Sequence, residues 1–393
     1  MSDQKPQPAS DPWLPVLALA LASFATSLNV NVLAAIGAWM KPALSLDDAA
    51  FGRVVAAAGL AAAAASLLLG GRIDRHGRRT PLLAGLAMFT LGSAGYLLTA
   101  DATTWTLLRV ITGIGGGVVL TSASSAVADL IPYARRGRAM GIITAAILLA
   151  VPVGMPVATV LATHVDWRGV FVMQAVVAAF SALLLLRTLP AGLGRAEEAV
   201  PMRVVLGRRD VSAALISVLL YTGAFFATTQ FLGDWLDSTG RLGRNRQWIL
   251  WVALGVFAAL GSALLGPIID RMGKRRFVLL SSLVVAVGIP LLGRADGMPL
   301  FAAIGIPIAI ASAARSAALL ALLSHLVSPS ARGRLMGLRN AANSLGTGVV
   351  PWVGGIIVAE HGFPAFLVVA GGLVALSLTL VVFFVRDPEP NAA

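Results

Sequence analysis

Twelve separate stretches of this chain are each apolar enough to cross a lipid bilayer, and nothing else in the sequence limits the fold so strongly. They run over roughly 14–36, 49–70, 80–99, 104–128, 139–162, 169–187, 212–235, 247–268, 277–293, 299–327, 335–359 and 363–385. About 20 apolar residues carry a helix across the hydrocarbon core. The ninth stretch is short, and the tenth and eleventh are long enough to tilt or to extend past the bilayer. The runs are continuous, without the period-two alternation of a barrel strand. Small residues such as those of Ala61–Ala65 let membrane helices approach closely. The expected class is therefore an all-α membrane protein of twelve transmembrane helices. Composition agrees: 58% of residues are apolar and 12% charged, where a soluble domain carries about 25% charge.

The chain has no cysteine and four scattered histidines. This excludes disulfides, zinc knuckles, iron–sulfur clusters and thiol catalysis, and no metal site is expected. There is no Walker loop and no Ser–His–Asp set that the sequence brings together. The glycines of Gly113–Gly117 lie within an apolar span and read as helix packing, not as a phosphate cradle. The expectation is a non-enzyme without a cofactor. Met1–Pro12 is polar and leads straight into a full-length span, so no cleavable signal peptide is expected.

Orientation follows from Lys and Arg. With both termini in the cytoplasm, the inner loops, tails and connector hold 20 of the 30 basic residues, the outer side holds seven, and Arg109, Arg315 and Arg339 lie within spans. That is a positive-inside bias, against which only the cluster Arg241, Arg244 and Arg246 stands. The net charge of +12 is explained by insertion and anionic lipid, with no nucleic-acid partner.

The sequence repeats. GGRIDRHGRR from Gly70 recurs as GPIIDRMGKRR from Gly266, so that Gly70, Asp74, Arg75, Gly77 and Arg79 match Gly266, Asp270, Arg271, Gly273 and Arg275 at an offset of 196. ARRGRAMG from Ala134 recurs as SARGRLMG from Ser330 at the same offset. Half the chain length implies two six-helix halves. Six is even, so the halves run parallel, with a site expected near the midplane between them. The expected division is 1–188, a cytoplasmic linker over 189–210, and 211–393.

These residues resemble the major facilitator superfamily. Gly70, Asp74, Arg75, Gly77, Arg78 and Arg79 are similar to the signature G-x-x-x-D-R-x-G-R-R in the loop after span 2. Arg109 and Gly113 resemble the R-x-x-x-G motif of span 4, with Thr112 where a Gln is common. Ala150–Pro156 is similar, in degenerate form, to the V-P-x-G element of the antiporter branch, and Trp167-Arg168-x-x-Phe171 follows as in many bacterial exporters. The resemblance implies proton-coupled efflux of a small drug or metabolite from the inner membrane, by a monomer whose halves rock about a central site. It also implies a gating role for Asp74 and Asp270 among their arginines. An acid there can face a helix N-terminus or pair with guanidinium groups; the alternative is that these arginines only set topology. Asp129 joins the same cluster with Arg138. Pro152 and Pro156, with Gly154 between them, form either a pivot or a passive kink.

Polar groups within spans mark the candidate cavity, because they are costly there and face protein or water. Asn29, Asn31, Tyr221, Gln230, Arg315, Asn340 and Asn343 are the substrate candidates. Ser and Thr on the same faces read as interhelical glue. Arg339 either lines the cavity or reaches back to Asp74 and Asp129. Many exporters of the superfamily carry a carboxylate in span 1, where this chain has Asn29 and Asn31. Asp234, and Arg109 acting through a nearby acid or water, remain for proton coupling. Few acids and buried arginines favour an anionic or neutral substrate. Uptake of an organic anion is thus the second reading, and a non-transporting membrane sensor the third.

Overall fold

A computed structural model describes residues 13–76, 78–99, 101–190, 202–327 and 332–385. Among them every regular element is helical. In chain order these are α1 (Trp13–Ala43), α2 (Asp48–His76), α3 (Arg79–Gly95), α4 (Ala102–Leu130), α5 (Tyr133–Leu149), α6 (Met155–His164), α7 (Gly169–Thr188), α8 (Met202–Leu206), α9 (Arg209–Ser238), α10 (Gln247–Leu264), α11 (Gly266–Met272), α12 (Lys274–Leu292), α13 (Met298–Leu326), α14 (Arg332–His361) and α15 (Phe363–Phe384). Each of the twelve apolar stretches falls on a helix, and eleven helices are long and apolar enough to cross a membrane. The shortest is the third, and the ninth is short as well. The stretch 80–99 yields only the 17-residue α3, because Leu97 and Leu98 donate to Ala94 O and Gly95 O and tighten the chain into turns. The ninth stretch forms α12, 19 residues long.

α5 and α6 are one rod interrupted by a π turn at Ala150–Gly154. Pro152 and Pro156 lack the N–H that would continue the α pattern, and each ring crowds the carbonyl four residues earlier. A wider turn relieves both faults. Leu68, Leu91, Leu183 and Phe383 stand exposed. On a soluble protein such a coat would be a liability; on a membrane helix it meets lipid tails.

α2 packs along α4 and α14, α14 along α9, and α9 along α15. The α2–α14 crossing is backbone against backbone: a Cβ on Gly52 would lie 2.5 Å from Pro351 O and 2.9 Å from Gly355 Cα, and one on Gly59 would lie 2.7 Å from Gly348 N. No other residue type fits at that distance.

The buried apolar residues divide unevenly between the two ends of the bundle. At the end marked by Lys41, one core is shared by helices from both parts of the chain, including Val32, Phe51, Phe231 and Phe366. Toward the end marked by Arg78 there are two separate cores among the described residues. One is built only from residues up to Leu189, the other only from Val205 onward. Among the described residues the buried apolar core is shared across one end and divided at the other.

Candidate functional site

The sealed end is held by ions as well as by rings. Lys41 Nζ donates to Asp48 Oδ1 at 2.8 Å and to Asp234 Oδ2 at 2.5 Å, which ties α1 to both α2 and α9. Arg244 Nη1 donates to Ala38 O at 3.0 Å and its Nε lies 3.1 Å from Asp237 Oδ2. Gln230 Nε2 donates to Val30 O at 3.2 Å. Phe51 meets Phe231 edge to face at 5.6 Å. Arg241 lies 4.4 Å over the Trp235 ring. Two of the arginines that run against the charge bias, Arg241 and Arg244, are therefore occupied locally at this end.

Arg109 on α4 is fully buried. Its Nη1 donates to Asn29 O at 2.9 Å and to Asn29 Oδ1 at 2.8 Å, and Asn29 Nδ2 donates to Gln174 Oε1 at 2.8 Å. The cluster joins α1, α4 and α7, and none of its described members is a carboxylate. The acid through which Arg109 is expected to act is not among these partners. α4 itself starts on Asp101, which accepts from Thr104 N at 2.8 Å. Hydrogen bonds from Thr104 pull the Asp101 carboxyl down to about 2.

Arg315 on α13 is buried in the later helices. Its Nε donates to Ser282 Oγ at 2.7 Å, and its Nη2 to Ser217 Oγ at 3.1 Å and Ser377 Oγ at 3.0 Å. The guanidinium carbon sits 3.6 Å from the Tyr221 ring centroid. α9, α12, α13 and α15 thus converge on one cation. Three hydroxyls and an aromatic face stabilise it in place of an acid. Arg315 and Tyr221 are brought together, but with each other and not with an open surface.

The remaining candidates separate into partnered and unpartnered. Asn31 Nδ2 donates back to Ser27 O at 2.8 Å within α1. Arg339, Asn340 and Asn343, all on α14, make no hydrogen bond among the described residues; Asn340 is exposed and the other two half-buried. Pro152 packs on α10, where a Cβ added to Gly255 would run into its ring, and Gly154 leaves room for Leu28. At the divided end, Arg78 Nε pairs with Asp129 Oδ2 at 2.8 Å, and Arg138 lies 5.0 Å over the Trp13 ring. Asp270 and Arg271 are exposed on α11, after Gly266 at its start. Gly273 closes α11 at φ 90°, a conformation only glycine adopts freely. Gly70, Asp74 and Arg75 fall on the last turns of α2, where side chains lie outside the described residues, and Gly77 lies outside them altogether.

The repeat offset also relates hydrogen bonds. Arg79 Nη2 donates to Leu186 O at 2.6 Å, and Arg275 Nη2 donates to Val382 O at 2.7 Å. Donor and acceptor both move by 196 residues. In each case the arginine fills a carbonyl left open near the end of a helix, α7 or α15.

The family model described as Major Facilitator Superfamily matches residues 19–241 and 247–393. The chain belongs to this superfamily. It is 26% identical over 388 residues to the Inner membrane transport protein YdhP of Escherichia coli (strain K12), covering 96% of this chain and 97% of that one. It is 30% identical over 225 residues to the Chloramphenicol resistance protein of Streptomyces lividans, covering 55% and 54%. The crystal structure of a mutant of the nucleoside transporter NupG superposes with a TM-score of 0.78 at 14% identity, covering 95% of this chain and all of that one, which is a likeness of fold.

The ion lock at the sealed end of this superfamily member is not visible in the sequence. There Lys41 reads only as a loop charge, and no spacing signal points from it to Asp234. The partners of Arg315 are partly visible, since Ser217 and Tyr221 lie four residues apart on one face of α9. Ser282 and Ser377 carry no signal that sets them apart from other span serines.

Proposed function

We propose that the protein is a secondary transporter of the bacterial inner membrane. It exports a small organic molecule, a drug or metabolite, in exchange for protons. Two six-helix halves, 1–188 and 211–393, rock about a central site, joined by a cytoplasmic linker over 189–210. Both termini lie in the cytoplasm, as the charge bias requires. The Lys41 end is then the outer one, and the form described is closed outside and open inside. The observation that carries this reading is the asymmetry of closure: one shared core and an ion lock at one end, two separate cores at the other. A scaffold or sensor has no need of such a difference.

In this reading Asp234 is the proton-coupling group, since a proton on its carboxylate removes one of the two partners of Lys41. Arg109 holds α1, α4 and α7 together. Asn31, Gln230, Asn340 and Asn343 belong to the path. One reported relative is an inner membrane transport protein by name and another a chloramphenicol resistance protein, and no catalytic step is proposed. Inverted vesicles test the reading: an added substrate should dissipate an imposed proton gradient, and Asp234→Asn should abolish that response. Substrate accumulation with no pH response removes the antiport step. Accumulation in right-side-out vesicles instead supports the second reading, uptake of an organic anion.

A further inference from the structure

Membrane helices spend their polar side chains carefully. In this protein Asn29, Gln174, Gln230, Gln247, Arg109 and Arg315 all bond to protein partners within the spans. α14 breaks the pattern. Arg339 and Asn343 are half-buried, lie four residues apart and so share one face of the helix, yet neither makes a hydrogen bond among the described residues. Asn340 stands beside them, exposed. Gly346, on the same side of α14 as Arg339 and Asn343, abuts α9, whereas the exposed Trp352 and Ile356 mark another side of the helix. Arg339 lies within two turns of the start of α14, toward the divided end.

A guanidinium held in a half-buried place without a counter-ion is costly. Water in the cleft offsets part of that cost, and an anion would offset more. No carboxylate lies on α14 before Glu360, at its far end. On α2 and α9, Asp48 and Asp234 are engaged with Lys41, Asp210 with Arg208, and Asp237 with Arg244, while the side chain of Asp74 at the end of α2 lies outside the described residues. Two guanidinium edges and one amide N–H donor suit a planar carboxylate or a phosphate, which accept in pairs.

We propose that Arg339 and Asn343 form a binding site for the carboxylate or phosphate group of an organic anion, at the cytoplasmic mouth of the transport path. This deepens the transporter reading and rests on it for the word path, but the site itself is testable without transport. The same chemistry is offered by a free solute and by an anionic lipid headgroup, and the test separates them.

The natural absence of cysteine makes Asn340→Cys a lone reporter. Its reaction rate is measured on the full chain in phosphatidylcholine nanodiscs with two thiol reagents of like size, one carrying a sulfonate and one a trimethylammonium group. The site requires the sulfonate to react faster, by about tenfold, the effect of one nearby charge at intermediate dielectric. Arg339→Gln should bring the ratio near one, and Arg339→Lys should keep most of it. Benzoate or inorganic phosphate should slow the reaction in the Arg339 protein and not in the Gln variant. Slowing by added phosphatidylglycerol but by neither solute assigns the site to a lipid headgroup. A rate ratio that Arg339→Gln leaves unchanged, or no slowing by solute or lipid, overturns the proposal. Charge selectivity in the reporter, when the parent protein with Asn340 in place shows no transport activity, leaves the site standing and removes the transporter reading.

Discussion

Lys41 and Asp234 are 193 residues apart in sequence, and their side chains meet at 2.5 Å. One residue lies in the last turn of α1 and the other near the end of α9, so the contact closes one end of the molecule across its two parts. Asp48 completes the arrangement from α2. Two carboxylates share one ammonium, which leaves the second free to hold it when the first is protonated.

Asp234→Asn or Lys41→Ala should therefore weaken the closure without unfolding the protein. The side chains are 13% exposed for Lys41 and 28% for Asp234, and a pair so placed is worth about 1 kcal/mol. A cysteine at buried Ala34 should then react roughly five times faster with an impermeant reagent from outside, the same free energy expressed as a ratio.

Gly52 and Gly59 set the approach of α2 to α14. Gly59→Val should cost about 1–3 kcal/mol by overpacking, and more where backbone is the obstacle. The expected outcome is a folded, inserted protein with a lower melting temperature and little transport. Gly372, where an added Cβ meets nothing within 4 Å, is the control: Gly372→Ala should leave both unchanged.

Arg315 holds four helices together through Ser217, Ser282, Ser377 and Tyr221. Arg315→Gln should lower thermal stability by about 2–4 kcal/mol, because buried hydroxyls lose their donor. Transport per folded molecule should fall less than stability does. Loss of substrate affinity in a variant of normal stability would place Arg315 on the path instead.

Asp101 caps α4, the helix that carries Arg109. Its folded value near 2 lies below the ordinary 3.8. The cap's contribution is thus complete above about pH 4 and fades only as pH falls toward 2. Between pH 5 and 8 the melting temperature of Asp101→Ala should stay below that of the parent by a constant margin, measurable by thermal scans at three pH values.

Much of the fold is readable from the chain alone, for physical reasons. Hydropathy marks a bilayer-length helix because lipid imposes that length, so all twelve stretches fall on helices. It does not register that Tyr96–Leu98 tighten into turns, which leaves α3 shorter than its stretch. Pro152 and Pro156 announce a disturbed helix, but not that a π turn absorbs the disturbance. Arg109 and Arg315 stand out in the sequence as expensive residues. Nothing in it says that Ser282, Ser217 and Ser377, at separations of 33, 98 and 62 residues, converge on one of them. The repeat is legible because its residues recur at one spacing, and Arg79 and Arg275 show that spacing again in their carbonyl partners. The Lys41–Asp234 contact joins unlike positions of the two copies, so no repeat could reveal it.

Reversible cross-linking bears most directly on the alternation of closure. Ala38→Cys and Arg244→Cys, at residues that meet at 3.0 Å, leave Lys41 and Asp234 in place and, joined by a short bis-methanethiosulfonate, pin the closed end. Transport by this double variant should stop and return on reduction, and in a separate triple variant a third cysteine at Asn340 should stay reactive from the cytoplasmic side alone. Undiminished transport through the cross-linked protein, or an Asn340 cysteine that reacts from outside while the link is in place, would contradict the account.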